Sequence, residues 1–270
     1  MINRNIDKKN GEIMNKKGEV TLFVILGIVI AAVVILLLYA ARMTIFFPDN
    51  VENLNEVLNE MNNEIVECIG DIGNEPLIRI GLQGGYLNPD EDTYRLYNDT
   101  RISYLCYNIP GKEQCRNRML LISDMENQLN DALKPRILSC VGNLNDFGRC
   151  KPIKIETPDE LEIDAKINLK DVDGAVNYPV IIKSKKSENK AEQDRFVKKF
   201  NYPLGDLYNV MHDVIDFETD NGEFDPLFYM IAKKNEYKIY KNRPYPDKLY
   251  AVKRTDNDYL FQFFVESEPG

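Results

Sequence analysis

The chain lacks most of the residues from which recognisable active sites are built. It has a single histidine, His212. A His-Asp pairing there would need a nucleophile that the sequence does not place beside it, so the residue reads as structural. No CxxC and no Cys/His spacing supports zinc. The stretch GLQGGYLNPD (81–90) is neither GxGxxG nor a P-loop, and no GK[ST] follows. It reads as a tight turn, and no cofactor is expected. The segment DFETDNGEFD (216–225) offers Asp216, Glu218, Asp220, Glu223 and Asp225. Asn221 and Leu227, however, stand where an EF-hand needs glycine and an acid. A solvated turn is the expectation, with no metal. Basic charge is scarce too: 34 Lys and Arg stand against 43 Asp and Glu, and beyond residue 42 the balance is 28 against 40. That surface disfavours nucleic acid, whose phosphates bind through basic groups. The locally basic stretch at residues 183–199 fits a mobile polar loop better than a seat for an anionic polymer or lipid headgroups. No repeat of solenoid length appears. With no nameable catalytic set, a non-enzymatic protein is expected.

What the sequence has in quantity is apolar length near its start. From Val20 to Ala41 no charge interrupts the run, long enough for a hydrocarbon core of roughly 30 Å. A secretory signal would be shorter and followed by a small-residue cleavage site. Arg4, Lys8, Lys9, Lys16 and Lys17 precede the run and Arg42 alone follows closely. The positive-inside bias then puts the N-terminus in the cytoplasm and the bulk of the chain outside. The expected organisation is a cytoplasmic leader (1–18), a single-pass membrane anchor (19–42), a mainly helical extracytoplasmic region (43–150) and an α+β domain (151–270).

The exterior part has 228 residues, enough to bury a core. All five cysteines lie in it, where an oxidising compartment would allow disulfides. Cys68 in IVECIGDI and Cys140 in ILSCVGNL share one context, as if two helices each stopped at a C-terminal glycine. This favours a Cys68–Cys140 bridge. Cys106 and Cys115 would close a short loop around a Pro110-Gly111 turn. Cys150 is left over, and a Cys140–Cys150 bridge is the rival arrangement. Asn98-Asp99-Thr100 is a glycosylation sequon.

After Pro48, Val51, Leu54, Leu58, Met61, Ile65 and Cys68 form one helical stripe. A second helix is expected from Ser123, where SDME has the form of a capping box, with Pro135 kinking or breaking it near Lys134. Further on the period becomes two. Leu161, Ile163, Ala165, Ile167 and Leu169 alternate with polar residues, Asp173-Gly174 offers a turn, and Val176 to Ile182 continue on a partner strand that Pro179 marks as an edge. Helices are expected near 205–217 and 225–234, and strands at KLYAVKR and YLFQFFVE. The expected class is therefore α+β, a helical disulfide-stapled region and an antiparallel sheet with covering helices.

The charged leader, KKG and uninterrupted apolar helix resemble the class III signal of archaeal type IV pilin-like proteins. The resemblance implies cleavage after Gly18, leaving Glu19 as the first mature residue, although Phe23 stands where bacterial pilins often carry Glu. Cys68, GLQGGY, the aromatic ISYLCY (102–107) and a helix ending in Cys140 are similar to uncharacterised single-pass envelope proteins of small-genome archaea. That likeness supports the topology and the longer bridge, and implies no catalytic residue. The leading expectation is a non-enzymatic, membrane-anchored protein of cell-surface structure, adhesion or partner binding. It would contact the lipid bilayer through residues 20–41 and a protein or envelope polymer outside. The alternative is a minor pilin-like subunit; an anchored hydrolase is a third class without identifiable residues.

Overall fold

The computed structural model describes residues 25–39, 53–108, 115–141, 144, 152–158, 160–185 and 187–266. Residues 1–53 and 54–270 are separate units. In the first, residues 25–39 form a helix, α1, exposed along its whole length. Among the described residues no helix is long and apolar enough to cross a membrane. This corrects the expected bilayer anchor through 20–41. With it go the single-pass topology, the cell-membrane location with a cytoplasmic N-terminus, the membrane-anchored role and the pilin-like alternative that needs the same helix. Gly18, Glu19, the leader, Cys150 and the Pro110-Gly111 turn lie outside the described residues.

The second unit is α+β and is organised around one long helix, α2 (Leu54–Leu82). Leu54, Leu58, Met61, Ile65 and Cys68 are buried along its stripe. The expected stop at Gly70 does not occur: the helix continues through Gly70, Gly73 and Pro76. The glycines serve contact. A Cβ on Gly73 would lie 2.5 Å from Phe200 Cζ, and one on Gly81 2.7 Å from the Leu260 carbonyl oxygen. Missing side chains let two sheets approach the same helix. The end comes at GLQGGY, where Gly84 (φ 73°) and Gly85 (φ 91°) take the left-handed conformation. There Gly85 N–H donates back to Ile80 O at 2.8 Å, closing the helix.

The first sheet has the order β1 (Tyr94–Tyr97), β2 (Thr100–Tyr107), β10 (Phe261–Val265), β9 (Lys248–Arg254), β8 (Tyr237–Asn242), with the short β3 (Arg116–Asn117) also on β2. β2 and β10 are parallel and the other pairs antiparallel. This sheet joins strands from both sides of residue 150. In the second sheet, β6 (Val172–Ser184) is central. It pairs β4 (Ile153–Glu156) and β5 (Glu162–Ile167) in tandem along one edge and β7 (Lys190–Phe200) along the other.

Three expectations change here. Pro179 is not at an edge; it lies inside β6 where the register to β7 shifts, between Asn177 and Val180, and between the stretches paired to β5 and β4. Proline is tolerated there because a bulge asks for no ladder N–H. Asp173-Gly174 is strand rather than turn; the β5–β6 turn lies at residues 168–171, closed by Asn168 N–H to Asp171 O at 2.9 Å. A Cβ on Gly174 would meet Phe200 and Ile69 at 3.1 and 3.3 Å, so this glycine too admits α2. Much of the basic stretch 183–199 is strand β7, not a mobile loop; its Phe196 is buried and its polar residues face outward.

Helix α3 (Ile122–Val141) runs through the exposed Pro135 without ending. SDME is not a capping box. The Glu126 carboxylate instead accepts Ile167 N–H at 2.8 Å and Lys166 Nζ at 3.2 Å, while Asn130 Oδ1 accepts Ala165 N–H at 2.8 Å. Two side chains one helical turn apart thus satisfy the free edge of β5. α2 packs on β7, β6 and β10, and α3 on α2 and β5. Cys68 is joined to Cys140 (Cα–Cα 6.5 Å) and Cys106 to Cys115 (5.4 Å). α4 (Leu204–Asn221) covers β9 and β2, and α5 (Pro226–Ala232) rests on β8.

Candidate ligand-binding cleft

The chemistry-bearing residues picked out in the sequence do not converge. His212 lies on the outer side of α4, its Nδ1 2.9 Å from Asp216 Oδ2 one turn on, both half-exposed. The acidic segment is split by the end of α4. Asp225 caps α5, accepting Leu227 and Phe228 N–H at 2.9 and 3.2 Å. Among the described residues no cluster of His, Cys, Asp and Glu fits a metal ion. Asn98 is exposed in the two-residue β1–β2 turn, where Asn98 and Asp99 have φ of 47° and 60°.

Glu218 is the exception in that segment: it is 4% exposed. The stripe Leu207, Met211, Val214 continues onto it, so helical phase buries it. Its carboxylate accepts Phe224 N–H at 3.0 Å and the Tyr250 hydroxyl on one oxygen, and Lys248 Nζ at 2.6 Å on the other. Lys248 also donates to Gly222 O, while Lys241 donates to Phe224 O at 2.7 Å and to Glu223, which Arg243 joins. Burial pushes the Tyr250 hydroxyl far above its ordinary pKa, and the Glu218 charge adds to this. Burial also acts to raise Glu223, but Lys241 and Lys248 outweigh it and hold that carboxyl low. Each charge in this cluster is matched by another. It clamps the end of α4 to β8 and β9, and a cleft of 230 Å³ reaches only Glu218 and Lys248 of it, beside Asn108 and Cys115.

Across Asn108 a larger cleft of 760 Å³ opens, lined by Tyr86, Asp92, Tyr107, Arg116, Asn117 and Arg118 among others. Three local structures position it. β3 pairs Cys106 with Asn117 and Tyr107 with Arg116, so the Cys106–Cys115 bridge sets the arginines against the end of β2. Tyr86, just after the glycine turn, donates its hydroxyl to Arg118 O at 2.7 Å; burial raises its pKa, against the pull of Arg118. Arg118 lies over the Tyr107 ring, 5.9 Å from its centroid. Asn117 Oδ1 accepts Met119 N–H at 2.8 Å, leaving its amide hydrogens for other partners.

The arginines here differ from most of those elsewhere, Arg101 being the exception, which lies over the Tyr94 ring. Arg79, Arg95, Arg136, Arg195, Arg243 and Arg254 all pair with carboxylates. Among the described residues Arg116 and Arg118 form no ion pair, although acids outnumber bases in the chain. Tyr86 and Tyr107 fall in quoted stretches of the sequence, GLQGGYLNPD and ISYLCY, but none of these cleft residues was expected to form a site. The available signal was Arg-Asn-Arg directly after Cys115, two cations in an acidic chain pinned by a disulfide. Compared with known proteins, the chain matches no family, no curated protein and no solved structure.

Proposed function

We propose that the chain is a non-enzymatic recognition domain that binds a ligand in the cleft formed by β2, β3 and the turn after α2. One observation carries the reading: among the described residues the two cleft arginines have no carboxylate partner, whereas the other described arginines, Arg101 apart, have one. Guanidinium groups left open beside aromatic rings are a common means of orienting a bound molecule. The buried Glu218 cluster supports the same reading from the other side, because its groups are engaged with one another. Titrating the isotopically labelled full chain with a small-molecule library tests this by amide shift mapping. Shifts gathered at Asp92, Tyr107 and Arg116 to Leu120, with the ligand recovered unaltered, are expected. Binding only elsewhere, or turnover of the ligand, overturns it.

A further inference from the structure

The cleft's own groups define a class of ligand, and that class rests on the binding role proposed for the cleft. Arg116 and Arg118 supply charged donors, and the Asn117 amide supplies a neutral one. Arginine recognises carboxylate and phosphate oxygens through two parallel N–H contacts. A bare oxyanion would leave Asp92 unexplained. This exposed carboxylate lines the same cleft, on a backbone held at φ 69°. A carboxylate only accepts hydrogen bonds, so it suits a ligand that brings hydroxyl donors. The two tyrosines, Tyr86 and Tyr107, are half-buried and offer ring surface to the C–H face of a saturated ring. At 760 Å³ the space matches a molecule of two or three rings.

We infer that the cleft binds an acidic saccharide, its oxyanion held by Arg116 and Arg118 and its hydroxyl groups by Asp92 and Asn117. A uronic acid and a phosphorylated sugar share this chemistry, and the test separates them. The full chain is titrated calorimetrically and by amide shifts with trigalacturonate, glucose 6-phosphate, maltotriose and acetate. Binding of one or both acidic sugars at the cleft is expected, weakening with salt. Which acidic sugar binds identifies the source of the oxyanion. Maltotriose and acetate should each bind far more weakly. Arg116→Gln, at an exposed position, should weaken the acidic sugar about tenfold, the effect of one charge-assisted contact. Asp92→Asn should weaken it less and leave its salt dependence intact.

Equal binding of maltotriose, or an unchanged affinity in Arg116→Gln, overturns the acidic class while leaving a binding cleft in place. Acetate binding as tightly as the sugar overturns the saccharide part. No shift at the cleft with any probe overturns this inference, and if the library titration is also silent there, the binding role falls with it.

Discussion

Two groups of charges lie on either side of Asn108, and they are built in opposite ways. In the α4–β9 cluster, Glu218, Lys241 and Lys248 are nearly sealed from solvent, with side chains 1%, 10% and 13% exposed. The carboxylate and both ammonium groups there are partnered within the cluster. In the β2–β3 cleft, Arg116 is exposed and Arg118 half-buried, and Arg118 lies against the Tyr107 ring instead of a carboxylate. A buried charge must be matched internally because desolvation is costly. An exposed one can wait for a ligand, because water holds it meanwhile. The first arrangement therefore stabilises the fold, and the second is free for recognition.

The largest effect should come from breaking the closed cluster. Glu218→Ala removes the acceptor shared by Lys248, the Tyr250 hydroxyl and Phe224 N–H, and leaves Lys248 only Gly222 O and Glu223 among the partners described for it. Removing one partner of a buried pair destabilises by about 3–5 kcal/mol. Urea unfolding of the variant measures this. A loss below about 1 kcal/mol, the range of an exposed pair, would mean that the cluster is not the clamp described and that the contrast with the cleft does not hold.

The disulfides sharpen the comparison, since one staples the helices and the other borders the cleft. Cys68–Cys140 closes 72 residues and Cys106–Cys115 closes 9. Chain-entropy scaling gives about 4 kcal/mol for the first and about 2.5 kcal/mol for the second. Cys68→Ser should therefore lower the unfolding free energy more than Cys106→Ser, while Cys106→Ser should be the one that disturbs the amides of residues 115–120. Equal losses, or a shift pattern independent of which bridge is cut, would separate the short bridge from the cleft.

Smaller still is a test within α2. Gly73→Ala places a methyl 2.5 Å from Phe200 Cζ, on a buried ring with little room to move. Overpacking of that kind costs about 1–3 kcal/mol. Gly70→Ala meets only the flexible end of Lys198, at 3.2 Å. There the helix propensity of alanine should prevail, a gain of up to about 1 kcal/mol. Paired thermal unfolding curves read the opposite signs. If both variants are stabilised, the glycines are not set by the approach of the sheet.

This pair also marks how far the sequence could be read. The period-3.6 stripe from Leu54 to Cys68 and the alternation at Ala165 and Ile167 are local, and they appear as helix and strand. The meaning of a glycine is not local. Gly70 looked like a helix end, but whether a glycine ends a helix or, like Gly73, admits Phe200 depends on a strand far along the chain. Pro179 misled for the same reason, since a bulge is a property of the pairing. Glu218 was legible from helical phase and was hidden when its segment was read by composition. The apolar run promised a membrane span, and among the described residues no helix is long and apolar enough to make one. The cleft draws on residues 86, 92, 107 and 116–118, which the turn after α2, the β2–β3 pairing and the Cys106–Cys115 bridge bring together.

The smallest effect should fall on the residue to which recognition is assigned. Arg116 lies in a two-residue strand, is exposed and makes no ion pair among the described residues. Arg116→Gln removes a charge that no described carboxylate requires and keeps a long polar side chain. Surface changes of this kind stay within about 0.5 kcal/mol. Arg95→Gln is the informative control. Arg95 binds the buried Asp247 at 2.7 Å and also donates to Pro244 O and Tyr245 O. Its loss leaves Asp247 with Tyr104 as the remaining side-chain donor described for it, so it should cost clearly more than Arg116→Gln in the same urea titration. An Arg116 variant as damaging as the Arg95 variant would show that the cleft arginine holds the fold together, and the division between closed and open charges would fail at its weakest point.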